Sequence, residues 1–234
     1  VLASEPLEQF LADKEVLFVR LGRHIDEALL ALAPRLRIIC SPTTGHTHFD
    51  EKALAQKGVL VLSLRGERGF LQRIHATPEH TLGLILSLLR NYRFAFLNMQ
   101  NREWDRDRYR GEGLSGKVVG IIGMGRVGKR IAQYLTAFEA QILFYDPDHN
   151  ANYPGAQRFD TIDDVLKGSD IVAMCAAFAL GSEPIIDRNR VGLLKGKYWV
   201  NTARGELVDE QALLEGIRQN WFKGVATDVI ADET

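Results

Sequence analysis

The chain has 234 residues, 46% hydrophobic and 25% charged, enough to bury a sizeable core and unlike disordered, collagen-like or mucin-like sequences. Twenty-nine basic against thirty acidic residues leave a net charge of −1, which provides no broad positive field for nucleic acid or anionic lipid. Two cysteines can build neither a disulfide framework nor a cysteine zinc site; Cys40 in RIIC and Cys175 in VAMC read as small buried hydrophobes of a reducing, cytoplasmic compartment.

The opening VLASEPLEQF carries charges and no long apolar core, so neither a signal peptide nor a membrane span is expected; it also lacks methionine, so the true beginning is expected to be absent. Short aliphatic runs follow: VLFVR from 16, RLRIIC from 35 and VLVLSL from 59. Five more come later: KVVGIIG from 117, QILFYD from 141, DIVAMC from 170, YWVNTA from 198 and GVATDV from 224. They are continuous rather than alternating, which predicts parallel strands covered on both faces, joined by helices into βαβ units.

The pattern divides near residue 76, giving domains 1–76 and 77–234, with the loop RGERGFLQR at 65–73 as the expected hinge region. A helix is predicted from 77 to about 99, with Thr77 as N-cap and Pro78 at its first position. Its apolar segment Leu82–Leu89 suits an element buried on several sides, joining domains or meeting a second subunit. The run RDRYR at 106–110 alternates charge and reads as solvated surface.

GIIGMGRVGKRIA then follows a strand and opens a helix, with Gly123, Gly125 and Gly128 in G-x-G-x-x-G spacing. The first glycine permits a tight turn, the second lets backbone approach a pyrophosphate, and the third lets helix and strand pack closely. The helix N-terminus adds free N–H groups and positive dipole. Val127, Ile131, Leu135 and Phe138 repeat at helical spacing toward the sheet. Asp146 ends the next strand, where a carboxylate can accept both ribose hydroxyls and repel a 2′-phosphate, which favours NAD over NADP. A similar turn and acid serve S-adenosylmethionine methyltransferases, so that reading stays open here.

Arg204, in VNTARGELVD, is expected at the carboxyl end of a core strand, where doubly wound sheets collect ligands. A guanidinium there can grip a carboxylate and place positive charge beside a carbonyl oxygen. VNTARGELVDEQAL, the glycine loop, TDVIADE at 227–233, PRLRIICSPTTGHTHFD and ATPEHTLGLILSLLR together resemble the D-isomer-specific 2-hydroxyacid dehydrogenases, phosphoglycerate dehydrogenase-like.

The resemblance implies a doubly wound parallel α/β sheet (Rossmann) with a second, smaller flavodoxin-like substrate domain, and an NAD-dependent enzyme acting on a small 2-hydroxy or 2-oxo acid. Arg204 would bind and polarise the 2-oxo acid. Asp228 would sit beside the nicotinamide carboxamide, and Glu233 would partner an acid/base histidine and keep it protonated. Thr43, Thr44 and Gly45 would hold the substrate carboxylate, and Arg126 and Val127 would offer amides to the pyrophosphate. A homodimer is implied; nucleic acid, metal and membrane are not.

None of His24, His46, His48, His75, His80 or His149 stands where the family's histidine belongs, and the substrate domain's opening strand is not seen, so the chain is expected to be truncated at both ends. Cys175 stands where many relatives have histidine, and Ala177 where they have proline. LRGERG at 64–69 replaces the family's usual turn; Arg65 and Arg68 there, with His46 and His48, suit either an acidic or phosphorylated substrate or plain exposed loop charge. The same family includes NAD(H)-sensing corepressors, which leaves a non-catalytic interaction protein as the alternative function.

Overall fold

The computed structural model of the chain describes residues 6–105, 107–179 and 181–231. The chain divides into two compact units, the first reaching Arg73 and the second starting at Ile74.

The smaller unit comprises α1 (Leu7–Leu11), β1 (Val16–Phe18), α2 (Glu27–Ala31), β2 (Ile38–Ser41), α3 (Glu51–Lys57), β3 (Leu60–Ser63) and α4 (Arg68–Leu71). Its strands are parallel in the order β1-β2-β3. Asp26 caps α2 through the Leu29 amide at 2.8 Å, and Asp50 caps α3 through the Lys52 and Ala53 amides at 3.0 Å. Leu17, Ile39, Leu29, Leu30 and Leu54 form the core.

Coverage on both faces, expected from the unbroken apolar runs, does not hold here among the described residues. Burial alternates along the strands, leaving Val16, Phe18, Leu60 and Leu62 exposed. Successive right-handed crossovers in one direction put both connecting helices on the same face.

The larger unit begins with α5 (Ala76–Leu89) and α6 (Tyr92–Gln100), then runs β4 (Val118–Ile122), α7 (Arg126–Ala137), β5 (Gln141–Tyr145) and β6 (Ala156–Arg158). It continues through α8 (Ile162–Gly168), β7 (Ile171–Met174), α9 (Arg188–Leu193), β8 (Tyr198–Asn201), a 3₁₀ turn at Gly205–Leu207, α10 (Glu210–Arg218) and β9 (Gly224–Thr227). Six parallel strands lie in the order β6-β5-β4-β7-β8-β9, the doubly wound arrangement with its switch point between β4 and β7.

Both faces of this sheet are covered. One core gathers Val165, Leu166, Val172, Met174 and Trp199; the other gathers Ile85, Leu89, Ile121, Ile131, Leu135 and Val200. Every residue of β7 and β8 is buried. The sequence reading missed β6, whose three residues AQR form a short edge strand without an apolar run.

Two local expectations are corrected. The helix predicted over 77–99 starts at Ala76, with Thr77 inside it, and stops at Leu89, because Asn91 takes a left-handed conformation (φ 51°) before α6 begins. Phe138 does not face the sheet; α7 ends at Ala137 and Phe138 is its 40%-exposed C-cap.

Candidate active site

The glycine turn lies at the carboxyl end of β4. Gly123 has φ 100°, and a Cβ there would lie 2.7 Å from the Ala176 Cα in the segment leaving β7. Gly128 is buried, and a Cβ on it would overlap the Gly123 carbonyl oxygen. Gly125 differs from both: it is exposed, and a Cβ would meet nothing within 4 Å.

Gly125 is also the N-cap of α7, which no side chain caps, whereas Thr161, Asp187 and Asp209 cap α8, α9 and α10. Open space beside an uncapped helix N-terminus, reached through a glycine, fits a dinucleotide pyrophosphate. Arg126 and Val127 form the first helical positions, and the Arg126 guanidinium also reaches the Ile74 carbonyl at 3.3 Å.

Asp146 directly follows β5. Its Oδ2 accepts the Met124 amide at 2.6 Å and its Oδ1 the Asp148 amide at 2.8 Å, so the carboxylate ties the glycine turn to the loop after β5. Arg158, which sequence reasoning did not single out, donates to the carbonyls of Asp146, Asp148 and Ala151 at 2.8, 2.9 and 3.2 Å. Its fork is engaged with backbone. Cys175, after β7, is half-buried, and desolvation pushes its thiol up to about 12, so it stays neutral.

Arg204 lies beyond the end of β8 in extended backbone, partly buried, with one guanidinium hydrogen bond among the described residues, from Nη1 to the Ala203 carbonyl at 2.6 Å. No acidic partner holds it there among those residues. Asn201, 3% exposed, shapes its turn: Oδ1 accepts the Ala203 amide at 3.0 Å and Nδ2 donates to the Arg204 carbonyl at 2.9 Å. Gly205 follows because the backbone of Ile230 and Ala231 passes where a Cβ would stand.

Asp228 immediately follows β9, and its amide reaches the Asn201 carbonyl at 3.3 Å. Its Oδ2 lies 3.3 Å from Nε2 of His80 on α5, a pairing that sequence separation concealed. Nearby, Thr81 donates its hydroxyl to the Thr77 carbonyl and therefore accepts from Thr202, 2.7 Å away and buried. Glu233 lies outside the described residues.

In the smaller unit, Thr43 donates to the Gly45 carbonyl at 3.1 Å and accepts from Ser41 at 2.9 Å. The Thr44 and Gly45 amides have no hydrogen-bond partner among the described residues, which suits a loop expected to hold a carboxylate. His48 is corrected as a candidate for acid recognition: it is 1% exposed and packs on Phe49 at 3.9 Å between ring centres. No cluster able to hold a metal occurs among the described residues.

The family model for the D-isomer specific 2-hydroxyacid dehydrogenase NAD binding domain matches residues 82–234. The chain belongs to the D-isomer-specific 2-hydroxyacid dehydrogenase family. The catalytic-domain model of these 2-hydroxyacid dehydrogenases matches residues 2–67.

The chain is 31% identical over 236 residues to D-3-phosphoglycerate dehydrogenase of Methanocaldococcus jannaschii, covering 99% of this chain and 44% of that protein. It is 30% identical over 239 residues to glyoxylate reductase of Thermofilum pendens, covering 99% and 69%. D-lactate dehydrogenase from Aquifex aeolicus, complexed with NAD and lactic acid, superposes with a TM-score of 0.84 at 29% identity over 99% of this chain and 69% of that one. The chain therefore spans less than half of the phosphoglycerate dehydrogenase relative. As a 2-hydroxyacid dehydrogenase family member carrying the NAD binding domain, it takes NAD as cofactor.

Proposed function

We propose that the protein is an NAD-dependent oxidoreductase interconverting a D-2-hydroxy acid and its 2-oxo acid. The observation that carries this reading is Arg204: a guanidinium presented past a core strand by a buried asparagine and held by no acidic residue among those described. Such a group suits an organic acid rather than internal structure.

In this reading residues 1–76 form the substrate domain and 77–234 the cofactor domain. The Thr44 and Gly45 amides, with Thr43 shaping their loop, take the substrate carboxylate, and Arg204 polarises the 2-oxo group. Gly123, Gly125, Gly128 and the amides of Arg126 and Val127 cradle the pyrophosphate; Asp146 takes the ribose. Bound NADH would supply hydride to the carbonyl carbon. Asp228, beside the nicotinamide carboxamide, is steadied by His80, and Glu233 keeps an acid/base histidine protonated.

The partners are a small acid and a second copy of the chain; no helix among the described residues is long and apolar enough to cross a membrane. The aromatic surface of α6, with Tyr92, Phe94 and Phe96 exposed, supports the homodimer, and the cytoplasm is the proposed compartment.

The test is NADH oxidation by the complete protein across a panel of 2-oxo acids. Arg204→Ala is expected to lower kcat/KM by about 100-fold or more, the scale for losing a group that stabilises developing oxyanion charge. Cofactor binding without turnover of any acid would refute the enzyme and support the sensor.

A further inference from the structure

The carboxyl edge of β2 and β3 carries a side-chain cluster that the cofactor reading does not use. Ser41 and Ser63 are register partners, and the Leu64 amide donates to the Thr43 carbonyl at 3.1 Å, so the loop after β2 and the turn after β3 lie side by side. His46 is held at both ring nitrogens: Nε2 is 2.8 Å from Ser63 Oγ and Nδ1 is 2.9 Å from Glu51 Oε1. Phe49 meets its ring edge-on at 5.2 Å. The Arg65 amide donates to Ser63 Oγ at 3.2 Å, and Arg65 Nη1 lies 2.7 Å from the same Glu51 Oε1.

Ser63 Oγ accepts the Arg65 amide, and Arg65 Nη1 donates to Glu51 Oε1 while lying 3.1 Å from His46 Nδ1, so the acid, the imidazole and the guanidinium form one contact set. Glu51 stays ionised, its carboxyl held below the usual range chiefly by the His46 hydrogen bond and further by the Arg65 charge.

The geometry of Arg65 separates a structural ion pair from a binding group. A guanidinium that only neutralises a carboxylate commonly meets it with two parallel bonds. Arg65 meets Glu51 through one nitrogen only, at one oxygen that His46 also occupies. Its Nε and Nη2 make no bond among the described residues, and the side chain is 61% exposed. Glu51 and Ser63 thus orient the arginine while leaving it a planar edge with two donors. The Thr44 and Gly45 amides, unpartnered among the described residues, belong to the loop whose Thr43 carbonyl accepts the Leu64 amide next to Arg65.

We propose that Arg65, set by Glu51, His46 and Ser63, is the subsite for a second anionic group on the substrate, a carboxylate or phosphate ester beyond the carboxylate taken by the Thr44–Gly45 amides. This rests on the proposed dehydrogenase function. It assigns the substrate to the dianionic 2-oxo and 2-hydroxy acids and makes Arg65 a specificity-determining residue. Lysine cannot replace it fully, since an ammonium keeps the charge without the planar fork.

The experiment compares kcat/KM of the complete enzyme for pyruvate and glyoxylate, for oxaloacetate and 2-oxoglutarate, and for 3-phosphohydroxypyruvate, in the wild type, Arg65→Ala and Arg65→Lys. The ratio of diacid to monoacid kcat/KM is expected to fall about 10–100-fold in Arg65→Ala, the range for losing a charge-assisted hydrogen bond, and by less in Arg65→Lys. The arm that falls further, dicarboxylate or phosphate ester, names the second group. A ratio unchanged within about twofold overturns the subsite and leaves the dehydrogenase reading intact. If no acid is turned over, calorimetric binding of 2-oxoglutarate and 3-phosphohydroxypyruvate to the NADH-loaded protein decides. Binding that is lost in Arg65→Ala keeps the subsite and rejects the dehydrogenase; no binding, or binding indifferent to Arg65, rejects both.

Discussion

Gly125 and Gly128 share one turn but meet different neighbours, and substituting each by alanine separates cofactor binding from folding. A Cβ at 125 enters open space, whereas one at 128 overlaps the Gly123 carbonyl oxygen. Gly125→Ala is expected to weaken NADH binding while shifting stability by no more than about 0.5 kcal/mol. Gly128→Ala is expected to lose about 1–3 kcal/mol by overpacking, along with affinity. Fluorescence titration and urea melts of both variants check this; equal stability losses would contradict the division of roles.

Tyr198 gives a second residue-scale prediction. Its hydroxyl donates to Glu112 at 2.9 Å, Glu112 also pairs with Lys117, and burial and the Glu112 bond push the phenol up to about 12. Because the folded state binds this proton more tightly, the contribution is full below pH 10 and is lost as pH rises toward about 12. Tyr198→Phe should cost about 0.5–1.5 kcal/mol at neutral pH and flatten the alkaline fall in stability. Urea melts at neutral and alkaline pH read both effects.

At the scale of elements, the division between α5 and α6 depends on one backbone conformation. Asn91 holds φ 51°, and its Nδ2 reaches the Arg110 carbonyl at 3.3 Å. A β-branched residue is strained there, so Asn91→Val should destabilise by about 1–2 kcal/mol, while Asn91→Gly, which loses the same side-chain bond, should cost less. Denaturant midpoints of the pair distinguish strain from that bond. The apolar run Leu82–Leu89 announced a helix meeting much of its surroundings, and Ile85 and Leu89 are 1% exposed. Its break was not legible, because asparagine reads equally well inside a solvated helix, at a cap or in a turn.

For the whole molecule, the three tryptophans, Trp104, Trp199 and Trp221, all belong to the larger unit, and Trp199 is fully buried in its core. Intrinsic fluorescence therefore follows the unfolding of the cofactor-binding unit. Oxidised NAD at a hundredfold excess over its Kd should stabilise that transition by about 2.7 kcal/mol, raising its Tm. S-adenosylmethionine should not move it, and a Tm indifferent to NAD would remove the cofactor from the account. The smaller unit offers no such reporter; its sheet exposes Phe18 at 72% and Leu60 at 55%, surface that favours association.

By itself the sequence determined the parallel α/β class, the position of the glycine turn and the acid after the next strand, because period, turn chemistry and spacing are local properties of the chain. The apolar run YWV at 198–200 and the glycines 123, 125 and 128 carry that information in neighbouring residues. Only the tertiary structure decided that Asn201 shapes the Arg204 turn, that His80 pairs with Asp228, that Arg158 spends its fork on backbone, and that His46 bonds Glu51 and Ser63 while His48 is buried against Phe49. Burial and most of these partnerships are set by how the chain folds back on itself. Even where the partner is close in sequence, as for Asn201 and Arg204, the strand's burial fixes the direction in which the side chain points.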